Sequence, residues 1–218
     1  KMILRDNLES YLKNNLNISF KDIIDYIFEF SILNENSQLL GFKGSNIIRS
    51  DNEEKFLGIH LASSYCAFLI FKMVNFNPFN QNKIEILISN KSIGIILDHL
   101  VIVNHLKEYQ NNDGSIKCSL HESECDARYA YCILSIEKIL NKFSKMDIEL
   151  NINKDRLYEY LISCQSYNGG FGMIRDGESN SGITYCSISS IILMNKKIPN
   201  QSKVIYYIIN RFNEYGVN

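Results

Sequence analysis

Glu124, Asp126, Arg128 and the pair Tyr131-Cys132 return 54 residues later as Glu178, Asn180, Gly182 and Tyr185-Cys186. An Asp or Asn directly ahead of a helical run is a cap for the first helix amides. The amides left over at such a start face outward and favour an anion such as a diphosphate. In the first copy Arg128 adds a guanidinium fork suited to a carboxylate or carbonyl oxygen. The bland alternative is a surface arginine paired with its neighbours Glu124 and Asp126. The chemistry on offer is oxyanion recognition at the heads of two Tyr-Cys helices.

Ahead of each copy, Gln110 and Gly114 recur as Gln165 and Gly169, an offset of 55. The loop "NGGFG" at 168–172 is neither a dinucleotide fingerprint nor a P-loop, since no strand leads into it and no Lys-Ser/Thr follows. It reads first as a glycine turn that lets the chain reverse after a helix. Cys118, His121, Cys125 and Cys132 are close in sequence, but Cys132 falls on a helix and the others on a loop, which disfavours a closed tetrahedral metal site. No Ser-His-Asp or H-E-x-x-H pattern appears.

These residues need helices to position them. Tyr129, Cys132, Ile133, Ile136 and Leu140 fall at helical spacing, and "ITYCSISSIILM" (183–194) and "IHLASSYCAFLIF" (59–71) repeat the pattern. These helices are apolar nearly all round, as a helix buried on both sides requires. Between them lie amphipathic segments at 21–30, 97–109, 154–164 and 202–212 with one apolar stripe each. The expectation is an all-α chain of helical hairpins in inner and outer layers, with units near 59–71, 109–140 and 164–194. No strand pattern of useful length competes, and Pro78 and Pro199 fall between helices.

The bulk numbers exclude several classes. With 23 basic against 24 acidic residues, no whole-chain field calls for nucleic acid or an anionic membrane. Apolar runs fall short of the roughly 20 residues that span a bilayer. Six cysteines without framework spacing favour a reducing, cytoplasmic setting. The chain opens on Lys1 and closes at Asn218 without a stop-like tail, so a single domain over 1–218, a piece of a longer protein, is expected.

The stretches "CQSYNGGFGMIRDGESNSGITYC", "ESECDARYAYC" and "GFKGSN" (41–46) resemble the repeats of protein prenyltransferase β subunits, most of all those of the geranylgeranyltransferase type I kind. The resemblance implies an α/α toroid, incomplete in this chain, with an apolar cavity for the isoprenoid, a catalytic zinc and an α subunit as partner. It implies transfer of a geranylgeranyl group from geranylgeranyl diphosphate to the Cys of a C-terminal Cys-a-a-Leu motif. By the same resemblance Asn180, Ser181 and Gly182 fall at the isoprenoid diphosphate, with Asn where the family writes His. Tyr131 and Cys186 fall on the lipid wall, and His60, Glu124 and Arg128 at the end of the peptide substrate. The family's zinc ligands correspond to positions past Asn218, so none is assigned here. A farnesyltransferase β subunit is the nearest alternative, and a non-catalytic helical repeat that binds lipid or a partner is the alternative of another class.

Overall fold

The structure is a computed structural model and describes residues 2–44, 58–80, 83–88, 91–213 and 216–217. It divides into two compact units, Lys1–His105 with Lys138–Ile148, and Leu106–Glu137 with Glu149–Asn218.

In the first unit, α1 (Met2–Leu16) leads to α2 (Phe20–Phe28). The start of α2 is fixed by a capping box in which the Ser19 side chain accepts from the Asp22 amide while Asp22 accepts from the Ser19 amide. Strands β1 (Ser31–Leu33) and β2 (Leu39–Phe42) follow as an antiparallel hairpin. Helix α3 (Leu61–Met73) packs against β2, where Ser64 Oγ accepts from the Phe42 amide at 2.9 Å. Phe28, Phe42, Phe68 and Phe71 are buried and meet ring to ring at 5.1 to 6.3 Å. Each such ring stabilises the unit by roughly 2–3 kcal/mol relative to exposure.

A second hairpin corrects the expectation that no useful strand exists. β3 (Lys83–Ile88) and β4 (Lys91–Ile96) pair one to one, from Lys83 with Ile96 to Ile88 with Lys91. Lys83-Ile84-Glu85-Ile86 alternates polar and apolar residues, the period of a half-buried strand. Helix α4 (His99–Leu106) and a 3-10 turn at Lys107–Tyr109 then cover most of the amphipathic segment at 97–109. The segment 45–57, which includes the end of the "GFKGSN" stretch, lies outside the described residues.

The second unit takes in the start of α5 (Ala127–Ser144), α6 (Lys154–Ser163), α7 (Ser181–Leu193), α8 (Gln201–Ile209) and a short pair, β5 (Phe212–Asn213) with β6 (Gly216–Val217). Two loops of the same construction stand ahead of α5 and α7. The Gln110 side chain donates to the carbonyls of Gly114 at 3.3 Å and Asn153 at 3.0 Å, and accepts from the Asn153 amide at 2.7 Å. Gln165 likewise donates to Gly169 at 3.3 Å and Pro199 at 3.2 Å, and accepts from Asn200 Nδ2 at 2.9 Å. Each glutamine therefore ties its loop to the start of the helix after next, α6 or α8. Gly114 and Gly169 share φ near +95° and lie against backbone, Gly114 on the Arg156 carbonyl and Gly169 on that of Lys203. A side chain has neither the space nor the backbone conformation there.

Buried Glu137 accepts from the Leu150 amide at 3.1 Å and from Lys154 Nζ at 3.0 Å, so its charge is paired and its carboxylate anchors the entry to α6. The expectation that the Tyr-Cys helices are buried all round needs correcting. On α7, Tyr185 and Ile192 are 60% and 57% exposed, while Thr184, Ser187 and Ile191 are buried. Helix α8 departs as well, since Val204 and Tyr207 are buried but Ile205, Tyr206 and Ile209 are exposed.

Candidate functional site

The site is built on the two helix starts. Asp126 precedes α5, and its Oδ1 accepts from the Arg128 amide at 2.7 Å. The first α5 amide, Ala127 N, donates to the carbonyl of Met173 in the other loop at 3.0 Å. Arg128 then folds back over its own cap. Its Nε lies 3.1 and 3.0 Å from the two oxygens of Asp126, and its Nη2 lies 2.5 Å from Asp126 Oδ2 and 3.0 Å from Glu124 Oε1. Glu124 Oε1 also accepts from the Tyr129 hydroxyl at 2.9 Å.

The electrostatics follow from this network. The hydrogen bonds to Asp126 raise the pKa of Arg128 against the opposing effect of burial, so the guanidinium stays charged. Burial, then the bond to Glu124, pushes the Tyr129 hydroxyl up. Cys118 donates its thiol proton to Glu122 Oε2 at 2.9 Å, and burial together with that carboxylate pushes the thiol up to about 12. A thiol held in this way is a poor nucleophile. Cys118, His121, Cys125 and Cys132 do not come together as one group, and Cys118 lies instead beside Glu122.

At the head of α7, Asn180 Oδ1 accepts from the Ile183 amide at 2.9 Å, so Asn180 is the helix cap that its position predicts. A side chain built on Gly182 would meet only Asn180 Oδ1, at 3.5 Å, which leaves that first turn open to a ligand. A cavity of about 710 Å³ joins the two heads and is lined by Glu124, Asp126, Glu178, Ser179 and Asn180. Three carboxyl groups face this space, so an anion there needs the α7 amides, and Arg128 beside the rim, to offset the acidic wall.

Tyr131 and Cys186 stand on α5 and α7, both half-buried. Burial raises the Cys186 thiol, with Asp126 adding to the effect. Tyr185, the repeat counterpart of Tyr131, reaches Tyr131, with the hydroxyl oxygens 3.3 Å apart. Its signal was its place one repeat after Tyr131. His60 belongs to the first unit, at the cap position of α3, and with Tyr26, Phe30, Cys66 and Ile70 it lines a cavity of about 320 Å³.

Residues 6–218 match the family described as prenyltransferase alpha-alpha toroid domain. The chain belongs to that family. This prenyltransferase chain is 34% identical over 164 residues to the geranylgeranyl transferase type-1 subunit beta of Arabidopsis thaliana, covering 73% of itself and 38% of that protein. It is 27% identical over 194 residues to the Dictyostelium discoideum protein of the same name, covering 81% of itself and 49% of the relative. The protein farnesyltransferase subunit beta of Arabidopsis thaliana matches at 35% over 92 residues, covering 42% of this chain and 17% of the relative. Among solved structures, Candida albicans protein geranylgeranyltransferase-I complexed with GGPP has the same fold, with a TM-score of 0.69 at 19% identity, covering 90% of this chain and 51% of that one. The chain spans about half the length or less of the curated relatives it matches. Among the described residues no helix is long and apolar enough to cross a membrane.

Proposed function

We propose that this chain forms part of the β subunit of a protein geranylgeranyltransferase type I. The observation that carries the reading is the extent of the likeness, 164 and 194 residues for two type-1 β subunits against 92 for a farnesyltransferase β subunit. The reaction moves a geranylgeranyl group from its diphosphate to the Cys sulfur of a C-terminal Cys-a-a-Leu motif, in the cytoplasm, with an α subunit as partner.

The parts played by this chain's residues follow from their chemistry. Ser181 and Gly182, at the open start of α7, offer backbone amides to the diphosphate, and Asn180 holds those amides in place as the cap. Tyr131 and Cys186 present half-buried, mostly apolar surface to the prenyl chain. Arg128, locked to Asp126 and Glu124 through Nε and Nη2, keeps Nη1 for the peptide end, directly or through water. Glu124 and His60 are assigned to the same task by resemblance. The resemblance implies a zinc ion, which would supply activation of the acceptor thiol, and Cys118, His121, Cys125 and Cys132 do not come together to hold it.

The test is transfer by the full-length protein co-expressed with an α subunit, using geranylgeranyl diphosphate and a Cys-a-a-Leu peptide. Thioether-linked product supports the reading. A protein that binds neither substrate is a helical scaffold without the chemistry.

A further inference from the structure

The turn at 173–177 stands between the two helix heads and closes through the Gly177 amide, which donates to the Ile174 carbonyl at 3.1 Å. Met173, Ile174 and Gly177 line the cavity of about 710 Å³ together with Glu124 and Asp126. The Met173 carbonyl also receives the first amide of α5, Ala127 N, at 3.0 Å. Any shift of the turn is therefore passed to the head of α5. Arg175, within the same turn, reaches instead to the loop ahead of α5. Its Nη2 lies 3.8 Å from Asp113 Oδ2, and its Cζ lies 5.7 Å from the centre of the buried Tyr160 ring on α6. Asp113 is aimed by Ser115, whose amide and hydroxyl donate to Oδ1 at 3.0 and 2.7 Å and leave Oδ2 for Arg175. Against the effect of burial, these bonds and then the Arg175 charge hold the Asp113 carboxyl below its usual range.

We propose that Arg175 is a positioning residue for the diphosphate site, its ion pair with Asp113 holding the turn at 173–177 as a wall of that cavity. This rests on the transferase reading above. The guanidinium touches no ligand and acts through the backbone on either side of it. An arginine suits the task, because one planar group lies over a ring and meets a carboxylate at its edge. At 3.8 Å, with both side chains about half exposed, the pair is weak and open to salt. It biases the turn without locking it, so its effect on affinity is a few-fold.

The experiment is equilibrium binding of tritiated geranylgeranyl diphosphate to the full-length protein with its partner subunit, in wild type, Arg175→Ala, Asp113→Asn and the double variant. Asp113→Asn keeps an oxygen for Ser115 and loses the charge. The two single variants separate positioning from a bare charge effect. Through the long-range field alone, Arg175→Ala would weaken the binding of an anion and Asp113→Asn would strengthen it. The strut requires both to weaken it, each about three-fold, with the double variant no weaker than either one. Arg175→Lys is expected to recover part of the loss, since an ammonium still meets the carboxylate. The ratio of wild-type to variant affinity should fall toward one in about 1 M salt, which screens charges within a few ångströms. Unchanged or tighter binding by Asp113→Asn, or losses that multiply in the double variant, overturn the proposal. Shifted unfolding midpoints with unchanged affinity overturn it as well, and in each case wild-type binding leaves the transferase reading standing. A wild type that binds no geranylgeranyl diphosphate overturns both.

Discussion

Arg128 holds Asp126 sideways, Nε at 3.0 Å and Nη2 at 2.5 Å from Asp126 Oδ2, over a carboxylate whose side chain is 3% exposed. The aspartate is at once helix cap and counter-ion. Arg128→Ala leaves a buried carboxylate without its cation. With the arginine side chain 41% exposed, the expected destabilisation is about 2 kcal/mol, below the range for a fully buried pair. Arg128→Lys recovers only part of it, because an ammonium cannot make the forked contact. Urea unfolding of the two variants measures both effects, and midpoints equal to wild type would mean the pair is ornamental.

Two glycines separate backbone constraint from ligand access. Gly169 has φ +95°, and an added Cβ would lie 2.4 Å from the Lys203 carbonyl carbon and oxygen. Gly169→Ala is expected to cost roughly 2–4 kcal/mol through strain and overlap. At Gly182 the only neighbour lies 3.5 Å away, so Gly182→Ala is expected to stay within about 0.5 kcal/mol of wild type. Its effect should instead appear as weaker diphosphate binding, read by calorimetry against thermal unfolding.

Much of this was legible in the residues. Asp126 and Asn180 announced themselves as caps by type and place, and the paired Gln110 and Gln165 marked the two loops whose hydrogen bonds the structure repeats. The hairpin at 83–96 was missed although Lys83-Ile84-Glu85-Ile86 alternates, because the apolar run from Ile93 merges β4 with the approach to α4. Helix α1 was also missed, although Leu4, Leu8, Tyr11 and Leu12 stand at helical spacing. The Tyr131–Tyr185 contact joins side chains of two helices, and no local pattern encodes such a meeting.

Asn180 combines a cap with a proposed ligand contact, and a charge change separates them. Asn180→Asp keeps an oxygen for the Ile183 amide and places a negative charge at a helix start, so stability should hold or rise slightly. The same charge faces the diphosphate, and affinity for geranylgeranyl diphosphate should fall at least ten-fold. Equal losses of stability and affinity would contradict the assignment.

Cys118 predicts a pH dependence. Its thiol pKa is raised from 9.0 to about 12 by burial and then by Glu122. Between these values the folded chain keeps a proton that the unfolded chain has lost, so this contribution to stability is full below pH 9 and falls as pH rises toward 12. Native protein should resist iodoacetamide at Cys118 at neutral pH and react there once unfolded. Peptide mapping by mass spectrometry reads this, and fast native labelling at Cys118 would refute it.

The central claim is tested most directly by competition. The full-length protein with its α subunit is given equal geranylgeranyl and farnesyl diphosphate and one Cys-a-a-Leu peptide, and the mass of the modified peptide is read. The account predicts predominantly geranylgeranylated peptide. Predominantly farnesylated peptide would move the chain to the farnesyltransferase side of the family, and unmodified peptide would contradict a transferase role.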